Sequence, residues 1–464
     1  MKKPNILLIM TDQQRADAMN CSGNWVQTPN MDRIAAKGVR FTNCVTNSPV
    51  CIPARLSLAT GLYPHNTGVW TNQRSQMSKD QPTWMQQIRK AGYRTSLFGK
   101  THLHPHTGDL REREFLMKTY GLDDVDEIGG PRASQHILSH MTAWWRKEGV
   151  WNDYKTDYED RFENKPYVAR PSTLGLKYYA DTYVGQRAKS YIESYDLNQP
   201  WCCWVSFGGP HEPWDAPDPY SKMYSPSDMP AARSIPQDCN GRPKGNLDKL
   251  FADSPDLSFH DVAALRANYA GNISLIDDQI GQLIDTISAR KQLDNTVIIL
   301  VSDHGEMNGD AGLLYKSNFL DGAVRVPLLI SAPGTMQGVT CSSPVEWFDV
   351  GPTIVELSDS IIDYPQFARS LCPILQDINR EHRPDAISEY GGEIMLLNKD
   401  WKIALNEDGQ SYMLFDLIND PEEQENLAGK PEKKIVEDML RLRILERLQT
   451  SQLKGNGYKF DLHG

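Results

Sequence analysis

The sequence predicts an α/β fold in which a large, mixed but mostly parallel β-sheet is flanked by helices. Short apolar runs at residues 6–10, 201–207 and 296–301 carry this prediction. Continuous apolar runs are typical of strands that are covered on both faces in a parallel sheet. Helical patterns lie between them, the longest at residues 259–287 with an apolar stripe along one side. Alternating strands and helices indicate a parallel sheet.

The remaining elements are predicted in chain order. Strands are expected at residues 39–45, 93–98 and 324–330, and helices at 28–36, 54–60, 82–91, 178–195 and 430–447. Residues 105–170 and 215–256 are polar without a clear period, so we expect irregular insertions there, placed to influence substrate specificity. Strands become shorter and more polar after residue 380. We therefore predict a catalytic domain at 1–379 and a C-terminal α+β subdomain at 380–464, with a small antiparallel sheet and a helix.

Composition and charge limit the classes of partner. The 464 residues carry a net charge of −11, which argues against nucleic acid or an anionic membrane as the partner. No apolar run approaches the roughly 18 residues of a membrane span. The N-terminal apolar run is also shorter than the roughly 7–15 residues of a signal-peptide core. The chain as written is thus expected in the cytoplasm, or in the periplasm if a leader was removed. Eight cysteines without a C-x-x-C pair indicate neither a zinc site nor a disulfide framework.

Residues 51–55 read C-I-P-A-R and open a predicted helix. Pro53 suits the first helical position, which places Cys51 just ahead of a helix N-terminus, where an anion is favoured. Arg55, one turn later, can direct its guanidinium to the same place. A nucleophile, an anion-binding helix end and a cation thus converge. The alternative is a buried cysteine in front of a helix that happens to begin with proline.

Acidic residues follow two of the apolar strands. Asp12 comes after the first strand, and Asp303 and His304 come after the strand at 296–301, at the edge where open α/β sheets bind ligands. Two carboxylates with one imidazole suit a hard divalent ion such as Ca²⁺, Mg²⁺ or Mn²⁺, and Gln13 can add a carbonyl oxygen. The alternative is that these aspartates only cap the loops that follow them.

Taken together, these motifs resemble the type I, formylglycine-dependent sulfatases of the alkaline phosphatase superfamily. The matching segments are M-T-D-Q (10–13), C-I-P-A-R (51–55), G-K-T-H-L (99–103), P-H-E-P-W (210–214), S-D-H-G-E (302–306), Lys316 and the tail at 414–428. The similarity covers nearly the whole chain and is weak only across residues 105–170 and 215–256.

The resemblance implies an alkaline phosphatase-like fold and a specific set of site residues. One divalent ion, most consistent with Ca²⁺, would be held by Asp12, Gln13, Cys51, Asp303 and His304. A formylglycine-generating enzyme would oxidise Cys51, and the hydrated aldehyde would attack sulfur to give a covalent sulfated enzyme. The sulfuryl oxygens would be held by Arg55, Lys100 and Lys316.

Four further residues receive expected roles. His211 is expected to be the acid for the departing alcohol, and His102 the base that expels sulfate. Asn72 is expected to bind the ester oxygen, and Trp214 to stack on a sugar.

These assignments predict a hydrolase of O-sulfate monoesters on a small molecule or an oligosaccharide, with carbohydrate favoured. Gln13 and His304 depart from the pattern of many sulfatases and resemble choline sulfatases and phosphonate monoester hydrolases, whereas the Lys100–His102 pair favours sulfate. The alternatives are therefore a phosphonate monoester hydrolase or phosphodiesterase, a choline- or arylsulfatase, an inactive glycan-binding relative, and a cysteine-thiolate hydrolase. The oligomeric state stays open.

Overall fold

The structure, a computed structural model, describes residues 3–164, 167–238 and 241–453. Cys239 and the end of the predicted C-terminal subdomain, residues 454–464, lie outside the described residues. The strands of the described part are β1 (Asn5–Asp12), β2 (Val39–Phe41), β3 (Cys44–Val45), β4 (Arg94–Gly99), β5 (Asp124–Glu127), β6 (Trp201–Pro210), β7 (Thr296–Ser302), β8 (Leu328–Ser331), β9 (Val339–Cys341), β10 (Val345–Glu346), β11 (Asp385–Tyr390), β12 (Glu393–Asn398), β13 (Trp401–Leu405) and β14 (Ser411–Asp416).

Eight of these strands form a central sheet in the order β5-β4-β6-β1-β7-β8-β2-β9. Only β8 runs antiparallel to its neighbours, β7 and β2, so the predicted mixed, mostly parallel sheet is confirmed. The strand predicted at residues 39–45 is two strands, β2 and β3, and β3 pairs instead with β10. The strand predicted from residue 324 begins only at Leu328, since Val324 ends the helix Asp321–Val324 and residues 325–327 connect the two elements. Strands β11 to β14 form a separate antiparallel sheet.

The helices cover both faces of the central sheet. They are α1 (Pro29–Ala36), α2 (Cys51–Thr60), α3 (Pro64–Thr67), α4 (Trp84–Lys90), α5 (Glu114–Thr119), α6 (His140–Glu148), α7 (Trp151–Asn164), α8 (Gly175–Tyr178), α9 (Ala180–Ser194), α10 (Asn246–Asp253), α11 (Phe259–Ala289), α12 (Asp321–Val324), α13 (Val350–Leu357), α14 (Cys372–Gln376) and α15 (Lys434–Thr450).

Strand β1 shows how the two faces are divided. Ile6, Leu8 and Met10 pack into the core that includes α2, α4 and α13. Leu7 and Ile9 point into the opposite core, which includes α9 and α11. Side chains alternate between the faces of a strand, so a continuous apolar run serves both cores.

The prediction that residues 105–170 are irregular is wrong. This segment contains α5, α6 and α7, and it supplies β5 as an edge strand of the central sheet. Ser139 caps α6 by accepting a hydrogen bond from the Thr142 N–H, and Gly149 ends the helix with φ +82°. Residues 215–256 contain, where the structure describes them, two 3₁₀ turns and the short helix α10.

None of the helices that the structure describes combines the length and the apolar character needed to cross a bilayer.

Candidate active site

Three elements bring the central residues together at the carboxyl edge of the sheet. Strand β1 ends at Asp12, β7 delivers Asp303 and His304, and α2 begins at Cys51. One possible ligand atom from each of these four residues lies within 4.8 Å of the others. The prediction that Pro53 opens the helix is wrong, because α2 begins two residues earlier and Pro53 occupies its third position, where a missing N–H is also tolerated.

His304 presents a defined nitrogen to this cluster. Its Nδ1 faces the Gly305 carbonyl at 3.0 Å, which makes Nδ1 the donor, so the neutral ring directs the lone pair of Nε2 into the cluster. Nε2 lies 3.0 Å from the Cys51 sulfur and 3.7 Å from Oδ1 of Asp303. Oδ1 of Asp12 lies 3.9 Å from the same sulfur. The four side chains are buried.

Arg55 lies behind the two aspartates. Its guanidinium donates to Oδ2 of Asp12 and to Oδ2 of Asp303, each at 2.8 Å. The remaining donor contacts the Lys100 carbonyl and the Ser206 hydroxyl. These contacts engage all three guanidinium nitrogens, so Arg55 is placed to orient the two carboxylates. Its position does not support the expected contact with a sulfuryl oxygen.

Lys100 stands beside both Asp12 and the nucleophile position. Its Nζ lies 2.5 Å from Oδ2 of Asp12 and 3.9 Å from the Cys51 sulfur. Burial alone would raise the pKa of Asp12, but Lys100 and Arg55 hold it well below its usual range. Burial and Asp12 likewise oppose ionisation of Cys51, yet Lys100, Lys316 and His304 hold the pKa of the thiol well below its usual range. The position of residue 51 therefore favours negative charge.

Gln13 and Lys316 belong to a second buried group. Lys316 donates to the amide oxygen of Gln13, and the Gln13 amide nitrogen donates to Glu306 and, at 2.9 Å, to Glu212. The oxygen expected to bind a metal is thus engaged by Lys316. Glu212 and Glu306 were not predicted as site residues, although each lies one or two positions after an assigned histidine. Their role depends on side-chain orientation, which the sequence pattern does not reveal.

The two candidate proton-transfer histidines differ in environment. Burial and the charge of Lys100 hold the pKa of His102 well below its usual value, so its imidazole is neutral and can accept a proton. His211 is partly exposed and lies near enough for its charge to lower the pKa of Asp12. Its Nδ1 lies 2.8 Å from the Glu212 carbonyl, which leaves Nε2 for another partner.

Of the two predicted substrate-binding residues, the structure removes only Trp214 from its expected role, because Asn72 is exposed and the contact it makes uses only its amide oxygen. Asn72 uses its amide oxygen to accept a hydrogen bond from the Ile52 N–H at 2.9 Å, and so caps the start of α2. Trp214 is only 2% exposed and stacks on Tyr315, with the ring centroids 5.7 Å apart. Its ring is therefore not accessible to a sugar, and Tyr315 is the more exposed member of the pair.

The donor set at the first cluster fits a divalent cation. Asp12, Asp303 and His304 supply two carboxylate oxygens and one imidazole nitrogen, a combination found with hard and borderline divalent ions. Arg55 contacts both carboxylates and Lys100 contacts Asp12, and these contacts fix the orientation of the two side chains. Residue 51 completes the group and would offer an oxygen after oxidation.

Comparisons with known proteins agree with this geometry. Residues 4–360 match the Sulfatase family. The chain is 30% identical to a choline-sulfatase of Rhizobium meliloti, over 92% of this chain and 83% of that protein. It is 24% identical to an N-acetylglucosamine-6-O-sulfatase of Bacteroides thetaiotaomicron, over 98% of this chain and 88% of that protein.

Among solved structures, a phosphonate monoester hydrolase from Silicibacter pomeroyi superposes with a TM-score of 0.79 and 24% identity, covering 97% of this chain and 96% of that chain. At this identity the likeness establishes the shared fold. The family match spans the strands and the helix that carry the buried cluster, and the chain therefore belongs to the sulfatase family of sulfuric ester hydrolases.

Proposed function

We propose that this protein hydrolyses O-sulfate monoesters of carbohydrates, with residue 51 as the nucleophile after its conversion to formylglycine. The supporting observation is the buried convergence of Asp12, Cys51, Asp303 and His304, with Lys100 3.9 Å from the Cys51 sulfur. A formylglycine-generating enzyme would perform the conversion.

Asp12, Asp303, His304 and residue 51 would hold the divalent ion. We propose Ca²⁺, with Mg²⁺ and Mn²⁺ as alternatives, and we leave Gln13 out of the ligand set because Lys316 engages its oxygen. When bound, the ion supplies positive charge that increases the acidity of a neighbouring hydroxyl and attracts sulfuryl oxygens. Arg55 would keep both aspartates oriented toward it.

The side chains of this protein suit a two-step transfer. One hydroxyl of hydrated residue 51 attacks sulfur, the bond from sulfur to the substrate oxygen breaks, and His211 protonates the departing alcohol. Lys100 and Lys316 attract the sulfuryl oxygens during this step. His102 then takes the proton of the second hydroxyl, the carbon–oxygen bond to sulfate breaks, and the aldehyde re-forms as sulfate leaves. Water rehydrates the aldehyde for the next cycle.

Carbohydrate is the proposed substrate class for two reasons. A relative named N-acetylglucosamine-6-O-sulfatase matches over 98% of this chain. In addition, Tyr315 offers a partly exposed ring beside the buried Trp214, and the exposed Arg132 lies within electrostatic reach of Tyr315 and Glu212. An aromatic face with a charged neighbour is suited to a sugar ring that carries anionic groups.

A second candidate is the sulfate ester of a small cationic alcohol. A cavity beside His211 is lined by the aromatic rings of Trp145, Tyr154 and Tyr179 and by the carboxyls of Asp181 and Asp215. Aromatic faces attract ammonium groups. Asp181 and Asp215, whose pKa values burial raises to about 6 and about 7, add negative charge only above those pH values. The choline-sulfatase relative, at 30% identity, favours the same candidate.

The test is sulfate release from a panel of sulfated sugars, choline sulfate, an aryl sulfate and a phenyl phosphonate ester. The protein is co-expressed with the converting enzyme and loaded with Ca²⁺, and Cys51→Ala is the matched control. Sulfate from a sugar, abolished in Cys51→Ala, is the expected result. Turnover of choline sulfate alone would select the second candidate, and turnover of the phosphonate ester alone would overturn the sulfatase proposal. Full activity of Cys51 protein made without the converting enzyme would instead indicate a thiolate nucleophile.

A further inference from the structure

A second group of metal-ligand side chains lies outside the site described above. The loop that leaves β4 reads T-H-L-H-P-H at residues 101–106, and Glu127 is the last residue of the neighbouring edge strand β5. Gly99 and Glu127 are partners across the parallel β4–β5 pair, so the loop begins next to the glutamate. The sheet thereby brings His104, His106 and Glu127 together.

The three side chains converge on one small volume. Nε2 of His104 lies 2.8 Å from one carboxylate oxygen of Glu127, and Nε2 of His106 lies 3.1 Å from the other. One ligand atom from each residue lies within 4.8 Å of the others. The side chains are 0%, 4% and 3% exposed, respectively, so bulk water does not solvate the contact.

Hydrogen-bond donors are too few for these contacts when both rings are neutral. Nδ1 of His104 faces the Pro105 carbonyl at 3.1 Å and must donate, which leaves a lone pair on Nε2 directed at a carboxylate oxygen. Nε2 of His106 receives the His102 N–H at 3.4 Å and also faces the carboxylate. At least one acceptor nitrogen thus faces a carboxylate oxygen, although the Thr101 hydroxyl also donates to Glu127. Such an arrangement requires extra protons or a cation between the groups.

We propose that His104, His106 and Glu127 form a second metal site, which takes a divalent transition-metal ion with zinc as the best match. Two imidazole nitrogens and one carboxylate oxygen are one of the ligand sets that zinc takes in sites with three protein donors. The contact of His104 Nδ1 with the Pro105 carbonyl is the outer partner that fixes a ligating imidazole. The donor set is richer in nitrogen than the Asp12 cluster and therefore selects a softer ion.

The ion would hold the segment that carries Lys100 and His102. The ring of His102 lies 4.6 Å from that of His106, centroid to centroid. The backbone of His102 is in the left-handed region at φ +60°, which side-chain-bearing residues seldom adopt. A metal bound two and four residues later would stabilise this conformation. The binding claim itself does not depend on the proposed substrate.

The test is zinc binding by the full-length protein after removal of metals with a chelator. Calorimetric titration with Zn²⁺ and metal analysis of the dialysed protein give the number of bound equivalents. Glu127→Gln and His106→Gln are each expected to lose one equivalent, or to bind it at least 100-fold more weakly. The matched control is His140→Gln, since His140 forms an exposed pair with Glu114 at 3.0 Å and its replacement is expected to leave zinc binding unchanged.

Asp303→Asn separates the two sites, because it is expected to remove only the equivalent bound at the Asp12 cluster. Cobalt provides a measurement on the unaltered protein, in which Co²⁺ at the second site gives a visible absorption band that Zn²⁺ abolishes. Equal zinc binding by Glu127→Gln and the unaltered protein would overturn the proposal. The proposal would also be overturned if Asp303→Asn alone lost all bound zinc and the cobalt band. In that case His104, His106 and Glu127 would form a carboxylate hydrogen-bonded to protonated imidazoles.

Discussion

Nε of Arg55 donates a hydrogen bond to Oδ2 of Asp303 at 2.8 Å, in a place where neither side chain is exposed to solvent. The same guanidinium reaches Oδ2 of Asp12 with Nη2. A planar fork can serve two carboxylates from different strands in one fixed geometry, whereas an ammonium group cannot. The relationship between Arg55 and Asp303 therefore sets the separation of the two candidate metal-binding carboxylates.

Arg55→Lys is expected to destabilise the protein by about 3–5 kcal/mol, because one ammonium group cannot keep the contacts of the guanidinium with both buried carboxylates. The substitution should also weaken calcium binding, since the two aspartate carboxylates are no longer held in a fixed relative position. Urea unfolding in the presence of chelator and calorimetric titration with Ca²⁺ measure the two effects. Arg33→Lys, in an exposed pair with Asp285, should change the free energy of unfolding by less than about 1 kcal/mol. A similar small change in Arg55→Lys would contradict the assigned role.

Gln13→Glu distinguishes a metal ligand from a hydrogen-bond donor. In the structure the Gln13 amide donates to two glutamates, so a carboxylate there would face Glu212 and Glu306 with like charge. We expect the free energy of unfolding to fall by roughly 1–3 kcal/mol and calcium affinity not to rise. Tighter calcium binding in this variant would instead make Gln13 a ligand. Unfolding curves and calcium titrations of both proteins provide the comparison.

His102→Ala and His211→Ala should fail at different steps. Without His102 the alcohol is released but sulfate remains on residue 51, so intact-protein mass spectrometry should detect an added sulfuryl group. Without His211 the first step slows by roughly 10²–10⁴-fold for alkyl esters, and much less for an aryl ester with a good leaving group. Simultaneous release of alcohol and sulfate by His102→Ala would contradict its assignment as the base. His140→Ala serves as the control for loss of a histidine.

Asp215 should make the stability depend on pH. Burial raises the pKa of this carboxyl to about 7, against an ordinary value of 3.8. The folded protein then binds more protons than the unfolded chain between these values, so the free energy of unfolding falls as pH rises from about 4 to 7. The expected fall is of the order of 3–4 kcal/mol for a shift of this size.

Asp215→Asn should remove most of this fall in the free energy of unfolding with pH, and it should raise stability at neutral pH. Denaturant unfolding at several pH values measures the pH dependence of stability. Burial also raises the pKa values of Asp181 and Asp277, to about 6. These two carboxyls should leave a smaller decrease of the free energy of unfolding with pH in the variant. Asp285→Asn is the exposed control, and a slope unchanged in Asp215→Asn would show that this carboxyl is ionised throughout.

The sequence predicts those strands and helices that are marked by the residue pattern within the element itself. Strands β1, β6 and β7 are apolar runs covered on both faces, and they deliver Asp12, His211 and Asp303 to one edge, as strand order in a parallel sheet requires. The sequence pattern does not predict helices α6 and α7, because aromatic and charged residues are mixed in them without a clear helical period. The Ser139 cap and the Gly149 stop were the available signals.

The site was predicted as a set of residues rather than as a set of contacts. Which residues follow the strands can be read from the sequence. The contacts depend on rotamers and on neighbours far along the chain, which the sequence pattern does not reveal. Examples are the contact of Arg55 with the carboxylates, the cover of Tyr315 over Trp214, and the link from two glutamates through Gln13 to Lys316.

The burial of Cys51 has a consequence for the order of events during synthesis. The cysteine is 2% exposed, and the loop after its helix is fastened to α15 by a hydrogen bond from Arg447 to the Tyr63 hydroxyl, 384 residues apart. Tyr63 and α2 leave the ribosome long before α15 exists. A protein-sized catalyst that modifies Cys51 would therefore need the chain before it folds, and docking of the last helix would end the interval in which the proposed conversion can occur.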